Sequence, residues 1–468
     1  MRAALAALVL GAISGCASVP REAGFPDVAK LATERTGSRV HWNQGGPEDE
    51  AVAAHVRSVL AKTLTAETAV EVALLNNRKL QALYEELSVA QADLVQAGLL
   101  RNPTIHAEVR LPVSGGGSGL EFGLAQSFLD LLQIPLRKRL AGAAFEEAKL
   151  RVAAAVLAHA TDTRVAVYRA QAAEQLREMR ETVVAATQAG YELAKRLHAA
   201  GNSTDLDLAM ERAAYEEARV DLAEAEADVL VARARLDALL GVFGGETGWK
   251  LAGRLPDPPA QEMDARGLEG RAIARSLDLG ALRQETLAAL GEQRFAQVFG
   301  LFPDLELAVH AEREPEGTWT VGPEVNVPIP IFDQGQARRA AADARVRQAQ
   351  ESFAALAVEV RAAVRAARAR MLGARERVVY YRKVLLPVRQ EVVDQTQLQY
   401  NAMQVGVLQL LQARRQQVEA GGRYVDQLLE YWLARTELEQ IVNGHLGEVE
   451  GARRRPKARP GNGERGGH

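Results

Sequence analysis

The sequence predicts a mainly α-helical protein with a membrane β-barrel contribution. Its repeating unit is helix–strand–strand–helix–helix, duplicated along the chain. Three observations carry this. Long stretches hold neither Pro nor Gly; four segments of about ten residues alternate apolar and polar side chains; and the chain aligns with itself. Residues 137–144 (RKRLAGAA) match 337–344 (ARRAAADA) at an offset of 200, as Pro103 matches Pro303. Leu80, Ala82 and Leu83 match Leu279, Ala281 and Leu282 at 199, and residues 206–212 match 408–414 at 202. Blocks in the same order at a nearly constant offset indicate a repeat of about 200 residues.

The N-terminus reads as an address. Arg2 precedes an apolar run to Ile13, too short for a bilayer-spanning helix and suited to a signal peptide over 1–15. Ile13-Ser14-Gly15-Cys16 resembles a bacterial lipobox, and Cys16 is the only cysteine of the chain. Lipidation of Cys16 is therefore expected, with a lipidated segment over 16–60. Ala17, rather than Asp, follows it, which resembles the outer-membrane sorting pattern. A single cysteine also excludes a disulfide framework and a multi-cysteine metal site.

The first repeat is expected over 61–253. A helix over 65–97 starts at Thr65 as N-cap and stops at Arg101-Asn102-Pro103. A strand over 104–111 and a second around 120–125 follow, separated by a glycine-rich turn at 114–119. A long helix then runs over 145–200, interrupted only by Gly190, on the order of 80–90 Å. Leu176, Val183, Gly190 and Leu197 form one seven-residue series, and Met179, Ala186, Leu193 and Ala200 another. That is a coiled-coil seam. The chain turns at 201–205 and a second helix returns.

A Pro-rich linker, 254–263, leads to the second repeat over 264–445. Strands are expected over 305–312 and 319–329. The seam recurs as Val378, Leu385 and Val392 with Tyr381 and Val388, and the turn lies at 404–407. The basic tail, 446–468, reads as disordered.

In all four strands the polar face carries charge: Glu108, Arg110, Glu121, Asp304, Glu306, Glu312 and Glu324. Apolar residues on one face and these on the other match barrel strands with a lipid face and a lumen face. Four strands cannot enclose a barrel. A homotrimer pools twelve, so a 12-stranded barrel continued by a long α-helical periplasmic tunnel is the expected assembly. Six acids to one base would favour cations at the barrel mouth.

Composition narrows the function. The charged residues, 57 basic and 60 acidic, leave a net charge of −3, so no global basic field points to nucleic acid. No His-Glu-x-x-His helix, phosphate-cradling loop or Gly-x-Ser-x-Gly elbow occurs. No catalytic residue, resident metal or cofactor is therefore expected. Aromatics are only 5%, which suits long helices packed through alanine.

Several stretches together resemble the TolC-like outer-membrane efflux proteins. They include Asn76-Asn77 followed by Leu80-Gln81-Ala82, residues 96–103 (QAGLLRNP), 196–202 (RLHAAGN), 328–336 (PIPIFDQGQ) and 410–414 (LLQAR). The resemblance covers about 60–445 and lies nearest the lipid-anchored outer-membrane factors of tripartite RND-type systems. It implies a homotrimeric, passive exit duct for heavy-metal ions or drugs, not an enzyme. The implied partners are a periplasmic adaptor protein, an inner-membrane RND-type pump and outer-membrane lipid. It makes the two turns the adaptor-docking tips: Gly201, Asn202 and Ser203, and Val405, Gly406 and Val407. Relatives often close the periplasmic end with acids after the second tip, where this chain has Gln409 and Gln412. Its acids are at the first tip, Asp205 and Asp207, where helix capping is the mundane reading and does not exclude a gate role. All four are candidate gate residues. A type I protein-secretion outlet and a periplasmic adaptor are the alternative readings.

Overall fold

The computed structural model describes residues 18–111, 118–127, 129–300, 306–314 and 316–447. Cys16, the segment 112–117, Asp304 and the tail beyond 447 lie outside the described residues.

Two further helices, α1 (Phe25–Thr36) and α2 (Pro47–Leu60), lie within the segment 16–60, each with a proline and at least one acid in its first turn. The helix expected over 65–97 is two helices, α3 (Ala66–Asn76) and α4 (Arg78–Ala97). Thr65 caps the first, as expected. Asn77 breaks them because its backbone is extended (φ −70°, ψ 121°) while its side chain caps α4 by accepting from the Lys79 N–H at 2.8 Å. The second repeat breaks at the equivalent place. There Ser276 separates α7 (Leu268–Arg275) from α8 (Leu277–Phe299) and accepts from the Leu279 N–H.

Four strands form one antiparallel sheet in chain order: β1 (Thr104–Arg110), β2 (Gly119–Ser127), β3 (Glu306–Arg313) and β4 (Trp319–Asn326). β4 ends before the expected 329. Pro328 and Pro330 cannot donate to a ladder, so Val327 and Ile329 fall beyond it. Register confirms the two faces. Ile105, Leu124 and Val309 are paired neighbours, as are Ala107, Phe122, Ala311 and Val321. Every member of these rows points to one side.

From β2 the chain enters α5 (Leu129–Ala199), 71 residues and about 105 Å long. It begins 16 residues before the expected 145 and runs through Pro135. It turns into α6 (Asp205–Leu240). The second hairpin is α9 (Gln336–Tyr380), a π-helical turn (Tyr381–Leu385), α10 (Leu386–Asn401) and α11 (Val407–Val442). In the first seam Val183 and Gly190 are buried and Leu176, Met179, Ala186, Leu193 and Leu197 half-buried, while Ala200 lies just past the end of α5 and is exposed. The second does not continue through Val388 and Val392, which are 48% and 40% exposed, whereas Val393 is fully buried. Pro387 explains the slip. It has no N–H, and its ring would clash with the carbonyl of Lys383 in an α-helix; a π-turn there adds one residue and moves the buried position from 392 to 393.

The main core lies where the hairpin bases meet, around Leu64, Val167, Leu236, Met371, Tyr431 and Leu438. A second cluster holds the N-terminal segment to α5. Phe25, Trp42 and Tyr84 pack ring against ring, and Lys149 reaches Asp27 at 2.8 Å. The linker lies along the second hairpin. Trp432 donates to the Pro256 carbonyl at 2.7 Å, and Glu262 pairs with Arg375 and Arg435, each at 3.2 Å. No helix among the described residues is long and apolar enough to cross a membrane.

Candidate functional site

The sheet is the first functional region. Its apolar face is exposed in the isolated chain: Ile105 is 80% exposed and Val321 70%. A row with Trp319 opposite Arg313 ends this face on the side of the two turns, an interfacial pairing of the kind that marks a membrane boundary. On the opposite face Glu108, Glu121, Glu312 and Thr320 stand in one register row. Carboxylates side by side on neighbouring strands repel. Arg110 offsets this: its Nε lies 3.0 Å from Glu108, its Nη1 2.9 Å from Glu312, and its Nη2 contacts Glu121. Each guanidinium nitrogen serves a different carboxylate, which a lysine could not do. The sequence shows Arg110 as the lone base of the face but not this convergence, because Glu312 lies 202 residues away. Glu324 lies in the row of Ala308. Glu306 is paired with Ser127 and Asn326. His106 and His310 each lie beside a glycine of the next strand, in the row His106, Gly123, His310, Gly322.

The helical tips are the second region. Both are built the same way. At the first, the Asn202 N–H donates to Leu197 O at 2.9 Å and Gly201 takes the left-handed conformation (φ 75°). At the second, the Gln404 N–H donates to Gln399 O at 2.9 Å and the left-handed residue is Met403 (φ 57°), 94% exposed. Gly406 has ordinary extended backbone (φ −77°) and serves as N-cap of α11. The returning helix is capped in each case. Thr204 accepts from the Asp207 N–H, and the Asp207 carboxylate accepts from the Thr204 N–H at 3.0 Å and its hydroxyl at 2.7 Å. Gln409 Oε1 accepts from the Gly406 N–H at 2.8 Å. Asp205 pairs with His198 across the tip at 2.7 Å, and Gln412 is exposed. Val405 and Val407 are half-buried beside these caps, while Asn202 is exposed and Ser203 half-buried.

Between the tips and the core, Gly190 brings three helices together. A Cβ there would sit 2.8 Å from Glu211 of α6 and 2.8 Å from Leu411 of α11. Among the described residues, no group of three or more His, Cys, Asp or Glu side chains is placed to hold a metal ion.

A sheet with one apolar and one charged face, joined end-on to two helical hairpins, is the arrangement on which the comparisons converge. The sequence profile of outer membrane efflux proteins matches residues 69–242 and 268–444. The chain belongs to the outer membrane efflux protein family. Its place is the outer membrane, with the helices extending into the periplasm. The cobalt-zinc-cadmium resistance protein CzcC of Cupriavidus metallidurans is 25% identical over 402 residues, covering 82% of this chain and 90% of that protein. The fold is similar to that of CusC, with a TM-score of 0.68 at 18% identity over 81% of this chain and 92% of CusC. It is also similar to the open MtrE outer membrane channel of Neisseria gonorrhoeae, with a TM-score of 0.67 at 18% identity over 84% and 89%. The two matched segments of this efflux protein each hold one hairpin and one strand pair.

Proposed function

We propose that three copies of this efflux protein close their sheets into one twelve-stranded barrel and form the passive exit duct of a tripartite pump. The observation that carries this is the open four-stranded sheet. The outer edges of β1 and β4 have no strand partner among the described residues, and the apolar face can be covered by lipid only if the charged face lines a bore. Energy comes from an inner-membrane RND-type pump, linked by a periplasmic adaptor that docks on the tips at Gly201–Ser203 and Val405–Val407. The cargo is a heavy-metal cation or a drug, and the likeness to CzcC favours the metal. Asp205, Asp207, Gln409 and Gln412 remain the candidates for a periplasmic gate, a role that the capping by Asp207 and Gln409 does not exclude. Cys16 carries the lipid that tethers the N-terminal segment to the membrane, following a leader over 1–15. The repeats span 61–253 and 264–445.

Deletion of the gene from its host tests the cargo. Hypersensitivity to cobalt, zinc and cadmium, restored by the intact gene, is expected. Hypersensitivity confined to hydrophobic drugs would assign the duct to drugs instead, and no change toward either class would contradict an efflux role. Cys16→Ser should abolish palmitate labelling; a labelled Cys16→Ser protein would refute the lipid site.

A further inference from the structure

We propose that a cavity beside the linker binds a small carboxylate with an N–H close to its carboxyl group, the chemistry of an N-acyl amino acid or a short peptide C-terminus. The cavity holds about 510 Å³, within the range of small-ligand sites, and lies between α3, α5, α11 and residues 252–256. Gln171 of α5 lines it and is only 6% exposed. Its Nε2 donates to the Ala252 carbonyl at 2.6 Å, while its Oε1 is buried with no hydrogen-bond donor among the described residues. Buried amide oxygens are normally paired, so an N–H brought to this one makes a bond without breaking another inside the protein. Two other elements supply donors for an anion. Arg164 reaches Glu439 only at 3.5 Å, whereas Arg435 holds that carboxylate at 2.9 Å, so the Arg164 guanidinium keeps N–H groups for a ligand. Ala66 and Glu67 open α3, where the first N–H groups have no intrahelical partner and favour negative charge. Tyr168 and Trp432, with ring centroids 5.0 Å apart, give an apolar wall for a side chain. The balance of charge disfavours a cation: Arg164, Arg254 and Arg435 line the cavity against Glu67 and Glu439. The Gln171 oxygen in turn favours a ligand with a donor over a bare carboxylate. None of these groups belongs to the sheet, so the site stands apart from the barrel.

Calorimetric titration of the detergent-solubilised full-length protein tests this, with N-acetyl-alanyl-alanine as the probe. Its C-terminal amide keeps the N–H groups without the charge, and acetate keeps the charge without an N–H. The peptide carboxylate is expected to bind saturably, and both controls roughly tenfold or more weakly. Arg164→Gln and Gln171→Leu should each weaken the peptide roughly tenfold, with thermal unfolding showing that each variant is folded. Arg164→Gln carries the test if Gln171→Leu does not fold. Absence of saturable binding at millimolar peptide overturns the site. So does binding that Arg164→Gln, or a folded Gln171→Leu, leaves unchanged. Equal binding of the peptide amide overturns the carboxylate assignment, and equal binding of acetate overturns the role of the Gln171 oxygen.

Discussion

Asp207 and Gln409 hold the same position in two helices 202 residues apart, each the third residue after the N-cap and each folded back on the backbone N–H of that N-cap. One cap is a carboxylate and the other an amide. A helix N-terminus leaves N–H groups without intrahelical partners, and an anion there is favoured further by the helix dipole. The repeat thus preserves the role while the chemistry differs, and the two tips should answer differently to acid.

The Thr204 backbone N–H, and then its hydroxyl, hold the Asp207 carboxyl below the usual carboxylate range. A depressed folded pKa stabilises fully above the unfolded value of about 4 and is lost as pH falls through and below it. Amide hydrogen exchange should therefore show protection in the first turn of α6 falling below about pH 4, relative to the first turn of α11. Equal behaviour of the two tips would contradict the cap assignment. Thr204→Ala should loosen the first tip alone, by about 1 kcal/mol.

Asn77 joins the first repeat to itself. Its side-chain N–H groups donate to the carbonyls of Ala238 and Leu239, at 3.1 and 2.9 Å, and Asn76 donates to those of Leu240 and Gly241. The Asn-Asn pair thereby covers the last carbonyls of α6, while Asn77 is itself buried. Asn77→Ala should cost about 1–3 kcal/mol in the unfolding of the detergent-solubilised protein. Gly241→Ala should also destabilise: φ is +71°, and a Cβ would lie 3.0 Å from the Asn76 carbonyl oxygen.

The π-turn makes a sharp prediction for the second hairpin. Val393→Ala should cost about 1–3 kcal/mol, because it removes a fully buried side chain. Val392→Ala should cost less. The reverse order, read from thermal unfolding, would show that the heptad runs straight through residues 381–385.

Tyr84 is fully buried between Phe25 and Trp42, and its hydroxyl has no hydrogen-bond partner among the described residues. Burial pushes its phenol well above the usual value. Tyr84→Phe should therefore leave stability unchanged or slightly raised, whereas Tyr84→Ala should cost about 3–5 kcal/mol and release the N-terminal segment from α5. Protease cleavage between α1 and α3 reads the release directly.

Much of this architecture is legible in the sequence because its periods are simple. Strand alternation assigned both faces of the sheet, and register agrees with it for the residues in the ladders, which leave out Val327 and Ile329; Asp304 and Leu305 lie outside the described residues. The first heptad seam held because nothing in α5 interrupts its 3.6-residue turn near Val183 and Gly190. The second slipped because one proline and one π-turn change the phase without changing composition. The break at Asn77 was hidden because asparagine serves as helix interior, C-cap or N-cap, and only the α6 carbonyls decide between them. At the second tip the left-handed position falls to Met403, outside the expected turn 404–407, because the residue type gives no sign of a positive φ. Helices α1 and α2 are short, and what holds them comes from elsewhere in the chain: Tyr84 and Lys149 for α1, and the main core around Leu64 for α2. The fourth member of the Arg110 cluster was equally illegible: Glu108, Arg110 and Glu121 share one hairpin, but Glu312 joins them only when β2 and β3, from different repeats, pair.

The shared barrel is tested most directly at the sheet edges. β1 and β4 are separated by two intervening strands, so cysteines on them cannot bridge within one chain. His106→Cys combined in turn with Thr320→Cys, Gly322→Cys or Glu324→Cys, oxidised in outer membranes, should give a ladder ending at a covalent trimer for at least one pair. Monomer alone from every pair would contradict a barrel closed between chains.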